Sequence, residues 1–176
     1  TKKYPNVWFV GVSNSGLDTS KMSRMLYIQR FDMATDELKA TLEDYKIDEK
    51  VRKEFPDLNT GKGLENSLVE AYTKFRHFEA EDPEHRYFYG PRDFYSMGKA
   101  VSKNLSIVFK CLEGQPVERR LEILAMYFVI AIERNFSGRM ISQPNSEDGT
   151  YVEKNSSYYM KRIFLKGISD TPEDSH

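Results

Sequence analysis

The residues best suited to chemistry in this sequence stand just past its first apolar run. That run, VWFVGV at 7–12, stops at SNSG (13–16), and Arg24 follows ten residues after Asn14. If the run is a strand of a parallel sheet, Asn14 stands beyond its C-terminal end, where open α/β sheets bind ligands. An uncharged amide there can orient a water or hold a phosphate oxygen without adding negative charge. Arg24 could present its guanidinium outward, toward a neighbouring subunit. The plainer alternative is that Asn14 caps a turn and Arg24 is solvated at the surface. Composition and spacing leave both open.

Arg92 lies in RYFYGPRDFY, bracketed by Tyr87, Phe88, Tyr89, Phe94 and Tyr95. Basic and aromatic residues together can build a stacking platform for single strands. The basic component is thin and the formal net charge is -1, so packing around a helix start is the favoured reading and a nucleic-acid partner is not expected. Glu79, Glu81, Asp82 and Glu84 surround Pro83 and read as a solvated acidic loop. The chain has one cysteine and three histidines. His77, His85, His176 and Cys111 form no metal-ligand spacing, so no metal site is expected in the chain itself. Cys111 reads as a buried or incidental thiol.

These residues need elements to hold them. The 7–12 run is β-branched and aromatic without polar alternation, as in a parallel strand buried on both faces. A short helix to about residue 24 follows, capped by Asp18 or Thr19, then a second short strand at 25–28. From Thr35 the pattern turns helical. Thr35 is a candidate cap for a helix over 36–46, and a short helical piece covers 48–54. FPDLNTGKG is a loop, and its NTGKG only partly echoes a phosphate loop. Leu64, Leu68, Ala71, Tyr72, Phe75 and Phe78 define a helix over 64–79. Pro91 suits a first helical turn, and Phe94, Met97, Val101, Leu105 and Val108 carry that helix to about 109. Pro116 opens a long helix to about 135, apolar nearly all round and expected as the central core helix. Glu118 sits well at its positive end, with Arg119 and Arg120 on its solvated side. The stretch SGRMISQPNSEDGTY reads as a loop, and 154–168 as a last helix or part-helix.

The chain thus divides into residues 1–31, a strand–helix–strand segment, and 32–176, a mainly helical unit. Hydrophobic residues make up 39% and charged residues 30%, an ordinary globular balance. No apolar run reaches the roughly 20 residues of a membrane span, and a single cysteine fits a reducing compartment. Two short parallel strands have no core of their own. Residues 1–31 therefore read as a cut from a longer chain, with the other strands upstream of Thr1.

Three runs resemble one family. SNSGLDTSKMSR at 13–24, YGPRDFY at 89–95 and AIERNFSG at 131–138 are similar, in that order, to runs in the AAA+ module of the mysterin family, giant dynein-like ATPases that are also RING-type ubiquitin ligases. The resemblance covers most of the chain, clearly to about residue 140. It implies a mainly α fold, an AAA+ lid-like helical domain (32–176) preceded by the strand–helix–strand remnant of a P-loop α/β core (1–31). It implies that Asn14 is sensor 1, aligning the attacking water, and that Arg24 is the arginine finger acting on ATP bound in the next subunit or module. It implies that Arg92 is sensor 2, approaching the β- and γ-phosphates in cis, with Asp93 capping the helix or pairing with Arg92. Two positions depart from the pattern: Tyr27 replaces a frequent second Arg, and Pro91 replaces the usual Leu.

The family's phosphate loop and its Asp-Glu strand end are absent from these residues. ATP and Mg²⁺ are thus expected in the complete module and not in this chain alone, which should not hydrolyse ATP. The implied partners are the upstream core, neighbouring AAA+ modules or subunits, and a protein substrate, in the cytoplasm. The RING chemistry lies elsewhere, because a RING needs a Cys/His cluster. The alternative is a degenerate, non-catalytic scaffold or interaction module of a large AAA+ protein.

Overall fold

A computed structural model describes residues 10–12, 20, 26, 28, 33–80, 88–144 and 151–169. The chain forms two compact units, Thr1–Asp32 and Met33–His176. In the first, the described residues 10–12, 26 and 28 belong to no strand. Val10 and Val12 are each 94% exposed, and Leu26 and Ile28 nearly as much. Val10 and Val12, described residues of the 7–12 run, therefore do not show the burial expected of it. Such residues are buried only when paired strands and covering helices flank them. The remainder of the strand–helix–strand segment lies outside the described residues.

The second unit is mainly α, as expected. Its described elements are α1 (Thr35–Glu43), α2 (Ile47–Glu54), α3 (Leu64–Ala80), α4 (Pro91–Leu112), α5 (Val117–Phe136), β1 (Met140–Pro144), β2 (Tyr151–Asn155) and α6 (Ser156–Ser169). The two strands form an antiparallel hairpin, with Met140 opposite Asn155 and Pro144 opposite Tyr151. This corrects the reading of 137–151 as loop throughout. Pro144 and the turn-forming residues after it mask two strands too short to show a clear alternation.

α1 begins at Thr35, the residue expected to cap it. Ala34 is the N-cap, and its N–H donates to Glu37 Oε2 at 3.2 Å, which leaves Thr35 inside the first turn. α2 and α3 cap each other. Glu65, on α3, accepts the N–H groups of Ile47 (2.6 Å) and Asp48 (3.2 Å), while Asp48, on α2, accepts those of Leu64 (2.7 Å) and Glu65 (3.2 Å). Each carboxylate thus satisfies two N–H groups that a helix start leaves unpaired. Burial and the neighbouring Asp48 charge hold the Glu65 carboxyl above the ordinary carboxylate range.

The core is built around α3, which packs against α1, α2 and α6 and buries Leu64, Leu68, Ala71, Tyr72 and Phe75. α4 contributes Phe94, Met97, Val101, Leu105 and Val108, all buried, and packs against α5. The expectation that the helix from Pro116 to about Asn135 is the central core helix is corrected. α5 buries a single stripe, Leu124, Phe128, Ile132 and Phe136, and leaves Met126 64% and Ile130 60% exposed. An apolar composition does not fix which faces find partners. Arg120 is also not simply solvated. It lies over the Phe55 ring at 5.1 Å, donates to Gln115 O at 2.8 Å and pairs with Asp57 at 3.2 Å.

Candidate functional site

Of the three site residues expected from the sequence, Asn14 and Arg24 lie outside the described residues. Arg92 is described. It is the second residue of α4, exposed, and makes no hydrogen bond or ion pair among the described residues. A guanidinium at a helix N-terminus stands at the positive end of the backbone dipole, the less favourable end for a cation. An anion brought there would meet both the guanidinium and the dipole.

The turn that presents Arg92 is tightly held. Gly90 is the N-cap and Pro91 the first helical residue. The Gly90 N–H donates to Asp93 Oδ2 at 2.8 Å, and the Asp93 N–H donates back to Gly90 O at 3.0 Å. Asp93 therefore caps the helix.

One residue upstream, the chain is gripped by the last turn of α3. Arg76 Nη1 donates to Tyr89 O at 2.5 Å and to Glu79 Oε2 at 3.0 Å. Glu79 Oε1 accepts the Tyr89 N–H at 3.1 Å. Glu79 is 1% exposed. Burial pushes its carboxyl above the ordinary range, against the opposing pull of the Tyr89 N–H and of Arg76. This corrects the placement of Glu79 in a solvated acidic loop. The signal available was Arg76 three residues before it, on one helix face, and a break assigned at Pro83 obscured it.

Tyr89 also joins the second and third sequence runs. Its ring lies 5.8 Å from that of Phe75 and 5.2 Å from that of Phe136. Its hydroxyl is 3.3 Å from Ser156 Oγ, and Ser156 in turn donates to Phe136 O. A side chain at position 138 would come within 3.1 Å of that tyrosine hydroxyl, so Gly138 leaves the space Tyr89 needs. Phe94 is stacked on Tyr72 at 4.5 Å. Glu133, from AIERNFSG, accepts Ser157 Oγ at 2.8 Å and pairs with Lys161 on α6, which holds its carboxyl below the ordinary range. YGPRDFY and AIERNFSG therefore meet in one place, and most of their residues pack or tie the joint rather than reach outward. The expected packing of aromatics around the helix start holds for Tyr89 and Phe94, both buried, while Phe88 is exposed.

The NTGKG loop docks on α6, with the Lys62 N–H donating to Gly167 O at 3.3 Å. Cys111 is exposed, not buried. Among the described residues no group of His, Cys, Asp and Glu could hold a metal ion, and no helix is long and apolar enough to cross a membrane.

Over 138 residues the chain is 28% identical to the E3 ubiquitin-protein ligase rnf213-beta of Danio rerio. That stretch is 78% of this chain and 2% of the relative, so the chain spans a very small part of that protein. No protein-family model matches the chain. No solved structure matches it.

Proposed function

We propose that this chain is the lid side of an AAA+ ATPase module within a very large protein of the same kind as its ubiquitin-ligase relative. In this reading Met33–His176 is the helical lid, and Arg92 contacts the β- and γ-phosphates of ATP bound to the rest of the module. Asn14 aligns the attacking water, and Arg24 reaches the nucleotide of the neighbouring module. Arg92 and Arg24 would neutralise charge that builds up on the transferring phosphoryl group.

The observation that carries this reading is Arg92 itself. It is an exposed guanidinium without an ionic partner among the described residues, on the first turn of a 22-residue helix whose start is fixed by buried polar groups. A free surface arginine would not need so firm a mount. The exposed Val10, Val12, Leu26 and Ile28 also suit a segment that takes its place in a sheet whose other strands lie outside these residues. ATP and Mg²⁺ would be held mainly by that part, with this chain adding phosphate contacts. The ligase activity in the relative's name would reside elsewhere in the protein, since one cysteine and three histidines are too few for a RING.

The test is ATP turnover by the full-length protein and by its Arg92→Ala and Arg24→Ala forms. A fall of tenfold or more in each is expected, from losing a charged contact that strengthens in the transition state. Equal rates in all three would replace this reading with that of a non-catalytic scaffold.

A further inference from the structure

We infer that Arg76 and Glu79 are positioning residues for Arg92: the last turn of α3 clamps both backbone polar groups of Tyr89 and so fixes where the first turn of α4 points. This rests on the reading of Arg92 as a phosphate contact.

The geometry leaves little freedom between clamp and guanidinium. Tyr89 is held at its carbonyl by Arg76 (2.5 Å) and at its N–H by Glu79 (3.1 Å), and the two clamping side chains bond each other at 3.0 Å. Gly90 is tied at its N–H by Asp93 (2.8 Å). Pro91 has its φ locked by its ring. Arg92 is next. The flexible glycine is thus enclosed between a clamped residue and a rigid one.

The clamp is also costly to build for stability alone. A buried ion pair often contributes less than an apolar replacement of the same volume, because both charges lose their hydration. What it gives instead is directional restraint, with two defined hydrogen bonds to one peptide residue. Tyr89 extends the restraint to Phe136 at 5.2 Å and Ser156 at 3.3 Å. A displacement of Arg92 would therefore be felt at the end of α5 and the start of α6.

The test is a double-mutant cycle on ATP turnover by the full-length protein, combining Arg76→Lys with Arg92→Ala. Lysine keeps the charge at 76 but cannot hold Tyr89 O and Glu79 in the same fixed fork. With Arg92 present, Arg76→Lys is expected to lower kcat/KM about fivefold to tenfold. In the Arg92→Ala background it should change it less than twofold, because coupled residues are non-additive. Glu79→Gln, which keeps an acceptor for the Tyr89 N–H, is expected to lose less than Glu79→Ala. Equal losses from Arg76→Lys in both backgrounds would reduce the clamp to a general structural role and leave the phosphate reading standing. No loss from Arg92→Ala alone would overturn both.

Discussion

The buried Glu79 carboxylate accepts the backbone N–H of Tyr89 at 3.1 Å and, through its other oxygen, the Arg76 guanidinium at 3.0 Å. A segment of chain that a sequence reading assigns to solvent is thereby anchored to the core helix. Removing the carboxylate leaves the buried Tyr89 N–H without its acceptor and takes the carboxylate from the largely buried Arg76 guanidinium, which keeps Tyr89 O. Glu79→Ala is therefore expected to destabilise the chain by about 3–5 kcal/mol, measured as a drop in the urea unfolding midpoint at constant m. A loss below about 1 kcal/mol would mean that water enters and replaces the carboxylate.

The reciprocal caps of α2 and α3 give a second expectation. Asp48→Ala strips two N–H acceptors from the start of α3 and should cost about 1–2 kcal/mol. Asp48→Asn keeps one acceptor and removes the like charge beside Glu65, so its effect should stay within about 0.5 kcal/mol. The two variants need only be compared by thermal or urea unfolding. Equal losses would show that the charge, and not the hydrogen bonds, is what matters at position 48.

The carboxyl shifts set a pH dependence. The folded chain holds protons on Glu65 and Glu79 more tightly than the unfolded chain does. Their contribution to stability therefore falls as pH rises from the unfolded carboxylate value of about 4.3 through the raised folded values. Glu70, beside Lys74, and Glu133, beside Lys161, are lowered. Their contribution is present above about 4.3 and is lost as pH falls through their folded values. Unfolding midpoints taken from about pH 4.5 to 7 should show a shallower decline for Glu65→Gln than for the natural chain. An unchanged slope would assign the dependence to other groups.

Close packing of α6 on α3 supplies a fourth. A methyl group at position 167 would come 2.7 Å from Ser67 Oγ and 3.0 Å from Ser67 Cβ. The Ser67 hydroxyl is engaged by Gly63 O at 2.6 Å, so it is not free to swing away. Gly167→Ala should gain roughly 1 kcal/mol of helix propensity and lose about 1–3 kcal/mol to overpacking, for a net loss. A rise in the unfolding midpoint would show that α6 can shift without cost.

Helices were legible in the sequence because their apolar spacing is long and regular. Leu64 to Phe75 and Phe94 to Val108 announced both their extents and their buried faces. Pro91 marked the start of α4 for a local reason, its fixed φ. Three features were not legible, each because partners distant in sequence decide them. Val10 and Val12 look like core residues and are exposed. Met126 and Ile130 share a helix with Phe128 and Ile132, and only packing against α4 and α6 separates their fates. Glu79 is an acid in an acidic neighbourhood, and only the return of the chain at Tyr89 makes it a buried anchor. The site was legible to the extent that Arg92 opens α4. That Asp93 caps the turn, and that Arg76 and Glu79 hold it from behind, required the fold.

The position of the Arg92 guanidinium when nucleotide is bound is the most direct test of its role as a phosphate contact. A structure of the full-length protein with a non-hydrolysable ATP analogue would measure it. The expected result is a guanidinium nitrogen within about 3.2 Å of a β- or γ-phosphate oxygen, with the Tyr89 clamp intact. An Arg92 side chain turned to solvent, beyond about 6 Å from every phosphate oxygen and with no bridging water, would contradict it.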